Sequence, residues 1–142
     1  MSEMSIKFDT ETIRSINLFE EITGVEVKDA LTQNNSAYFV VEEGKVGLAV
    51  GKGGETINKV QEDLDKEVKV LEYSDSLKEF VENIVPANVS QVKLEKNGDS
   101  RTVRISVDRG DWSRVVGKDG KNLEVIKRFL RREFDVDEVE IE

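Results

Sequence analysis

The chain has no cysteine, no histidine and only one proline among its 142 residues. Without cysteine there is no disulfide framework, thiolate cluster or zinc finger. Without histidine there is no Ser-His-Asp or Cys-His triad and no imidazole-bound metal. Catalysis would fall to carboxylates, lysine or tyrosine. The acid clusters Glu62, Asp63 and Asp65, and Asp135 with Asp137, lack the spacing of a calcium loop and read as solvated surface. Neither an enzyme nor a cofactor is expected. No apolar run approaches the roughly 20 residues that span a bilayer. Residues 1–9 lack the basic-then-apolar pattern of a secretion signal. A soluble cytoplasmic protein with no membrane association is expected.

What is abundant is charge, at 36% of residues, with a net of −9. An acidic average argues against a nucleic-acid binder, but the distribution is uneven. Residues 1–73 carry 8 Lys/Arg against 15 Asp/Glu, whereas residues 101–132 carry 10 against 4. The last ten residues hold six acids and no base. Screening confines each field to ~8–10 Å, so a positive patch can persist inside an acidic protein.

Shifted by 66 positions, the sequence partly matches itself. Val50, Gly51, Lys52 and Gly54 fall on Val116, Gly117, Lys118 and Gly120. Val41 falls on Val107, Gly44 on Gly110 and Leu64 on Leu130. Matches spread this widely in one register indicate a duplicated unit. The expected domains are residues 1–73 and 74–142.

Both copies read alike. In the first, Ile13, Ile16, Phe19 and Ile22 predict a helix over about 9–23, stopped by Gly24. Strands follow at 25–32 and 38–42, around a turn at Asn34 to Ser36. A short helix over 44–50 is broken by Gly51 to Gly54. A longer helix runs over about 55–66, with Ile57, Val60 and Leu64 on one face, before a strand at Val68 and Val70. In the second copy, Ser76 and Glu79 form a capping-box pattern ahead of Leu77, Phe80, Val81, Ile84 and Val85. A hairpin follows over 89–96 and 101–107, with a turn of about four residues. A short helix over 111–116, a break at Gly117 to Gly120, a helix over 121–133 and a strand from Val136 complete it. The fold class is therefore α+β, with two units of order α-β-β-α-α-β. One such unit buries only a modest core, so the two are expected to pack together.

A glycine break between helices has a physical logic. Glycine accepts positive φ and lets another molecule approach the backbone. The helix that follows offers free N–H groups and the positive end of its dipole, which suits a phosphate. Lys52 and Lys118 add positive charge there. A Walker phosphate loop is excluded, since it needs glycine where Val46 stands and serine or threonine where Gly53 stands.

A Val-Gly-Lys-x-Gly loop between two helices, after a hairpin and before a strand, resembles the K-homology (KH) domain in its type II form. Two such units with almost nothing else resemble the archaeal NusA family of transcription factors, over essentially the whole chain. The longer bacterial relatives carry a polymerase-binding domain and an S1 domain, for which no room is expected here. The resemblance implies a loop that clamps about four unpaired nucleotides, with bases read in an apolar groove beside it. It carries RNA contacts onto Gly51, Lys52, Gly53 and Gly54, and onto Gly117, Lys118, Asp119 and Gly120. Asp119 departs from the pattern, because a carboxylate there repels phosphate. Arg114, Lys121 and Arg128, with Arg109, Lys127, Arg131 and Arg132, supply a compensating field. The first loop is thus expected to supply geometry and the second unit charge.

The function implied is binding of single-stranded RNA on nascent transcripts, in termination or elongation, beside RNA polymerase, by a monomer. Two alternatives stand: a docking module whose acidic first half meets a basic polymerase or ribosomal partner, and an RNA-binding ribosome-assembly factor. Trp112, the only tryptophan, fits either base stacking or packing against the sheet.

Overall fold

The computed structural model describes residues 9–33 and 35–142, so the turn expected at Asn34 lies partly outside the described residues. The chain divides after Ser74 into two compact units.

The first unit opens with α1 (Thr10–Thr23). The Asp9 carboxylate accepts a 2.7 Å hydrogen bond from the Thr12 amide, which caps the helix and holds that carboxyl below its ordinary range. Gly24, at φ +71°, ends the helix and donates to the Glu20 carbonyl. Of the expected stripe, Phe19 is buried and Ile16 and Ile22 pack against the core, but Ile13 is 46% exposed; the fully buried positions are Thr12, Ser15, Phe19 and Thr23. The cause is periodic. At 3.6 residues per turn, a repeat of three drifts, so nine residues carry Ile22 about 180° around from Ile13. The spacing 12, 15, 19, 23 stays in line. Two of its polar members are hydrogen-bonded: Thr12 and Thr32 share a hydroxyl hydrogen bond, and the Thr23 hydroxyl donates to the Phe19 carbonyl.

Strands β1 (Val27–Thr32) and β2 (Ser36–Val41) pair antiparallel, with a bulge between Val27 and Asp29. A short α2 (Val46–Val50) leads through a 3₁₀ turn at 52–54 into α3 (Glu55–Leu64). Then β3 (Glu67–Glu72) adds parallel to β2, placing β2 in the centre. Phe19 stacks on Phe39 with centroids 4.3 Å apart, amid Val25, Val41, Ala49 and Val60. Apolar burial of this kind supplies most of the folding drive.

The second unit repeats the order. It comprises α4 (Leu77–Ile84), β4 (Val89–Asn97), β5 (Ser100–Val107), α5 (Trp112–Val116), α6 (Lys121–Phe134) and β6 (Glu138–Ile141). The Ser76 hydroxyl accepts from the Glu79 amide, and Val85 turns extended ahead of Pro86, which ends α4. The bulge recurs, between Val89 and Gln91. Two expectations are corrected. Asn97 pairs with Ser100, so the hairpin loop is Gly98 and Asp99 alone. The short helix begins as a 3₁₀ turn at 109–111 and becomes α-helical only at Trp112.

The long helices differ in length: α3 has 10 residues and α6 has 14. Each ends on an aspartate in the left-handed region, Asp65 and Asp135, both at φ 55°. The 66-residue register therefore holds only as far as Leu64 and Leu130. The extra turn of α6 brings Phe134 to within 5.5 Å of Phe80, ring to ring. No described helix is long and apolar enough to cross a membrane.

Candidate nucleic-acid interface

The two glycine loops follow the same backbone path. Gly51 sits at φ 78°, ψ 170° and Gly117 at 81°, 171°. Two residues on, Gly53 is at 62°, 19° and Asp119 at 57°, 25°, and then Gly54 and Gly120 are at 78°, 11° and 73°, 16°. The hydrogen bonds match too. Gly51 donates to the Gly47 carbonyl at 2.9 Å and Gly117 to Ser113 at 2.8 Å. Gly54 donates to Gly51 at 3.1 Å and Gly120 to Gly117 at 3.2 Å.

The first glycine is sterically obligatory. Its torsions lie in a region that is essentially glycine's alone. A Cβ on Gly51 would also stand 2.9 Å from the Thr56 backbone nitrogen and 2.8 Å from its Cβ. On Gly117 it would stand 2.9 Å from the Asn122 nitrogen. The middle position is different: a Cβ on Gly53 meets nothing within 4 Å. Asp119 accordingly fits the same left-handed place, which aspartate tolerates better than most residues.

Lys52 and Gly53, like Lys118 and Asp119, are exposed at the tips. Behind each tip starts a helix, α3 or α6, without a side-chain cap; the amides of Gly54 and Glu55, and of Gly120 and Lys121, are donated back to the loop carbonyls. Charge separates the two loops more than Asp119 alone implies. The residue opening α3 is Glu55 and the one opening α6 is Lys121, so the first loop carries its own counter-charge at the helix end. Leu48, 58% exposed on α2, stands where α5 presents Arg114.

The basic side chains fall into two groups. Arg114 pairs with Asp111 at 2.9 Å. Arg128 lies 3.6 Å from Glu124, and with Lys127, Arg131, Val136, Asp137 and Val139 these two line an open groove of about 330 Å³ between α6 and β6. On α3 the positions matching Lys127 and Arg128 are Gln61 and Glu62. There Gln61 is structural: its side-chain oxygen accepts from the Val68 amide at 2.9 Å.

Asn122 escaped the sequence reading, and of the two readings of Trp112 the structure shows the contact with the sheet. Asn122 donates from its side chain to the Arg114 carbonyl at 2.9 Å, bracing the second loop. Trp112 packs at the end of the sheet and donates from its indole nitrogen to the Ile141 carbonyl at 3.1 Å. The signal for Asn122 was its position, five residues after Gly117, against Thr56 after Gly51.

Comparison with known proteins identifies the family. Residues 10–97 match the KH domain family and residues 77–142 the NusA-like second KH domain. A protein of Halococcus morrhuae named as a probable transcription termination protein NusA is 34% identical over 97% of this chain and 99% of its own. Proteins of the same name from Methanococcus vannielii and Methanocaldococcus jannaschii are 37% and 32% identical. The first match covers 85% of this chain and 70% of that relative, the second 96% and 75%. A solved structure described as the crystal structure of APE1850 superposes with a TM-score of 0.79 at 33% identity. It covers 95% of this chain and 100% of the other.

Proposed function

Because the chain belongs to the family of NusA-like KH-domain proteins, we propose that it is a non-enzymatic transcription factor that holds unpaired nascent RNA on its two Gly-Lys-x-Gly loops. It acts in termination or elongation, beside RNA polymerase. Each loop receives the sugar–phosphate backbone of a few nucleotides at its exposed tip, with Lys52 or Lys118 beside the phosphates. Arg114, Lys121 and Arg128 supply the field around the second loop. The observation that carries this reading is the identity of the two loop paths, torsion by torsion, although their side chains and surroundings differ. A backbone shape built twice, each time solvent-facing at the tip and leading into a helix N-terminus, is explained by a ligand that contacts backbone. The names of the relatives support the setting in transcription termination.

The test is binding to a short random single-stranded RNA pool as a function of salt. Gly53→Asp copies the second loop into the first, and Asp119→Gly does the reverse. Both are sterically open at that place. The expected result is that the first weakens binding and the second strengthens it, each several-fold. A negative slope of log affinity against log salt is expected in every case. A chain that binds no RNA, or ignores both changes, defeats the proposal.

A further inference from the structure

The outer edge of β4 carries the observation. β4 is an outer strand of its sheet and pairs on one side only, with β5. Among the described residues, none beyond β5 hydrogen-bonds to the backbone of Gln91 to Asn97. A row of unpaired strand amides and carbonyls is a template for another strand. The matching strand of the first unit, β1, has 6 residues against the 9 of β4, and the Glu20 carboxylate accepts from its Val27 amide.

Two boundaries define the stretch of β4 that can pair. The bulge between Val89 and Gln91 closes one end and the turn at Gly98 the other, so the regular ladder runs from Gln91 to Asn97. Its midpoint is Leu94, an apolar side chain that is 37% exposed. Counted from the bulges, Leu94 matches Thr32, whose hydroxyl shares a hydrogen bond with Thr12 of α1. The second unit has 8 residues in α4 where α1 has 14, and Leu94 stands at the surface.

Charge changes sign across that midpoint. Buried Val103 and Ile105 lie opposite Leu94 and Val92, so Lys93 and Glu95, opposite Arg104 and Thr102, face away from the core. Glu95 gives one carboxylate oxygen to Arg104, and its side chain is still 41% exposed. An antiparallel pair of β4 strands with its two-fold axis at Leu94 sets Lys93 of each copy opposite Glu95 of the other. Leu94 then covers Leu94, Val92 meets the stem of Lys96, and Gln91 meets Asn97. A strand of one charge sign is repelled at this edge, whereas the reversed copy of β4 is matched by it. We infer that two copies of this chain associate edge to edge through β4, joining two three-stranded sheets into one, in place of the monomer expected from the sequence. The inference is independent of the RNA-binding reading, and its test contains no RNA.

The experiment is sedimentation velocity of the full chain. The interface is small, so loading concentrations run from about 10 μM to about 1 mM. The wild-type chain is expected to shift from monomer toward dimer across that range. Lys93→Glu and Glu95→Lys each place two like-charge contacts in the pair, and each is expected to weaken association by about tenfold. Mixing the two single variants restores opposite charges at both places, and so does the double variant Lys93→Glu with Glu95→Lys. Both are expected to regain wild-type association, which also shows that the single variants are folded. A wild-type chain that stays monomeric at the highest concentration overturns the inference. So do single variants that associate as the wild type does, or a mixture that associates no better than its components.

Discussion

The two loops hold nearly the same backbone path in opposite electrostatic settings. The first leads into a helix that opens on Glu55 and carries Glu62, the second into one that opens on Lys121 and carries Arg128 and Arg131. Matching torsions therefore do not come from matching charge. They come from sterics: one glycine in a region closed to other residues, its amide bonded back to the helix, and the next helix starting too close for a Cβ. Shape and field are separate variables here, and each can be changed without the other.

The largest effect should come from breaking shape. Gly51→Ala and Gly117→Ala each force a side chain into strained torsions, at about 1–3 kcal/mol, before the overlap with Thr56 or Asn122 is added. Gly53→Ala meets no neighbour and should cost about 1–2 kcal/mol at most, for the left-handed conformation alone. Urea unfolding of the three variants checks the order. Equal losses at Gly51 and Gly53 would mean that the close approach to Thr56 does not hold the loop.

Breaking field comes next. Lys52→Glu and Arg128→Glu change no loop glycine and, on the proposed function, should weaken RNA binding by about tenfold or more, since each reverses a charge in the field that would draw phosphate. The two should differ in salt dependence. Loss of one phosphate contact flattens the log–log slope by about 0.7 for a single strand. That flattening is expected for Lys52, at the loop tip. Arg128, 3.6 Å from Glu124 and set back in the α6 groove, should lower affinity with a smaller change in slope. Identical slopes would erase the division between a loop that holds and a unit that attracts.

Element order, the duplicated unit and the glycine breaks were legible in the sequence because each rests on local chemistry. Gly24, Ser76 and Pro86 punctuate helices wherever they occur. The face of α1 was legible at Ile16, Phe19 and Ile22 but not at its edges: Ile13 reads as core by hydrophobicity and is exposed, while polar Thr12, Ser15 and Thr23 are buried. The hairpin of the second unit closes further than its turn signal implied, because strand pairing runs on to Asn97 and Ser100. At the candidate site, the glycines and lysines were named from spacing. Asn122 and the Trp112–Ile141 contact were not, because each joins residues whose proximity only the folded chain creates.

A smaller effect sharpens the comparison of braces. Asn122→Ala removes the bond to the Arg114 carbonyl and should lower stability by about 0.5–1.5 kcal/mol. Thr56→Ala, at the same place in the first unit, should lose less, because no side-chain bond to Leu48 braces that loop among the described residues. Amide exchange at Gly117 and Gly51 is the direct measure: faster opening is expected at Gly117 in the first variant, with little change at Gly51 in the second.

The smallest effect separates the units by acid. Each holds one carboxyl below its ordinary range, by different means. Asp9 is lowered by the Thr12 amide and hydroxyl. Glu95 is lowered chiefly by its hydrogen bond from Arg104, whose guanidinium also meets Glu140 and Glu142. In both, the folded state binds the proton more weakly than the unfolded chain. Each contribution is therefore complete above the ordinary values of 3.8 and 4.5, and fades as pH falls through the lower folded ones. Both groups are solvent-exposed, so the effect is slight. Salt distinguishes them: it screens the attraction between Arg104 and Glu95, but barely touches a hydrogen bond to a backbone amide. Acid unfolding followed at low and high salt should show the second unit's share moving with salt and the first unit's share staying fixed. Asp9→Asn, which keeps a capping side chain, should remove the pH dependence of α1 while preserving the helix. Glu95→Gln should reduce the salt sensitivity, with the rest left to the Arg104 pairs with Glu140 and Glu142. A salt response unchanged by Glu95→Gln would place its origin outside the Arg104–Glu95 pair.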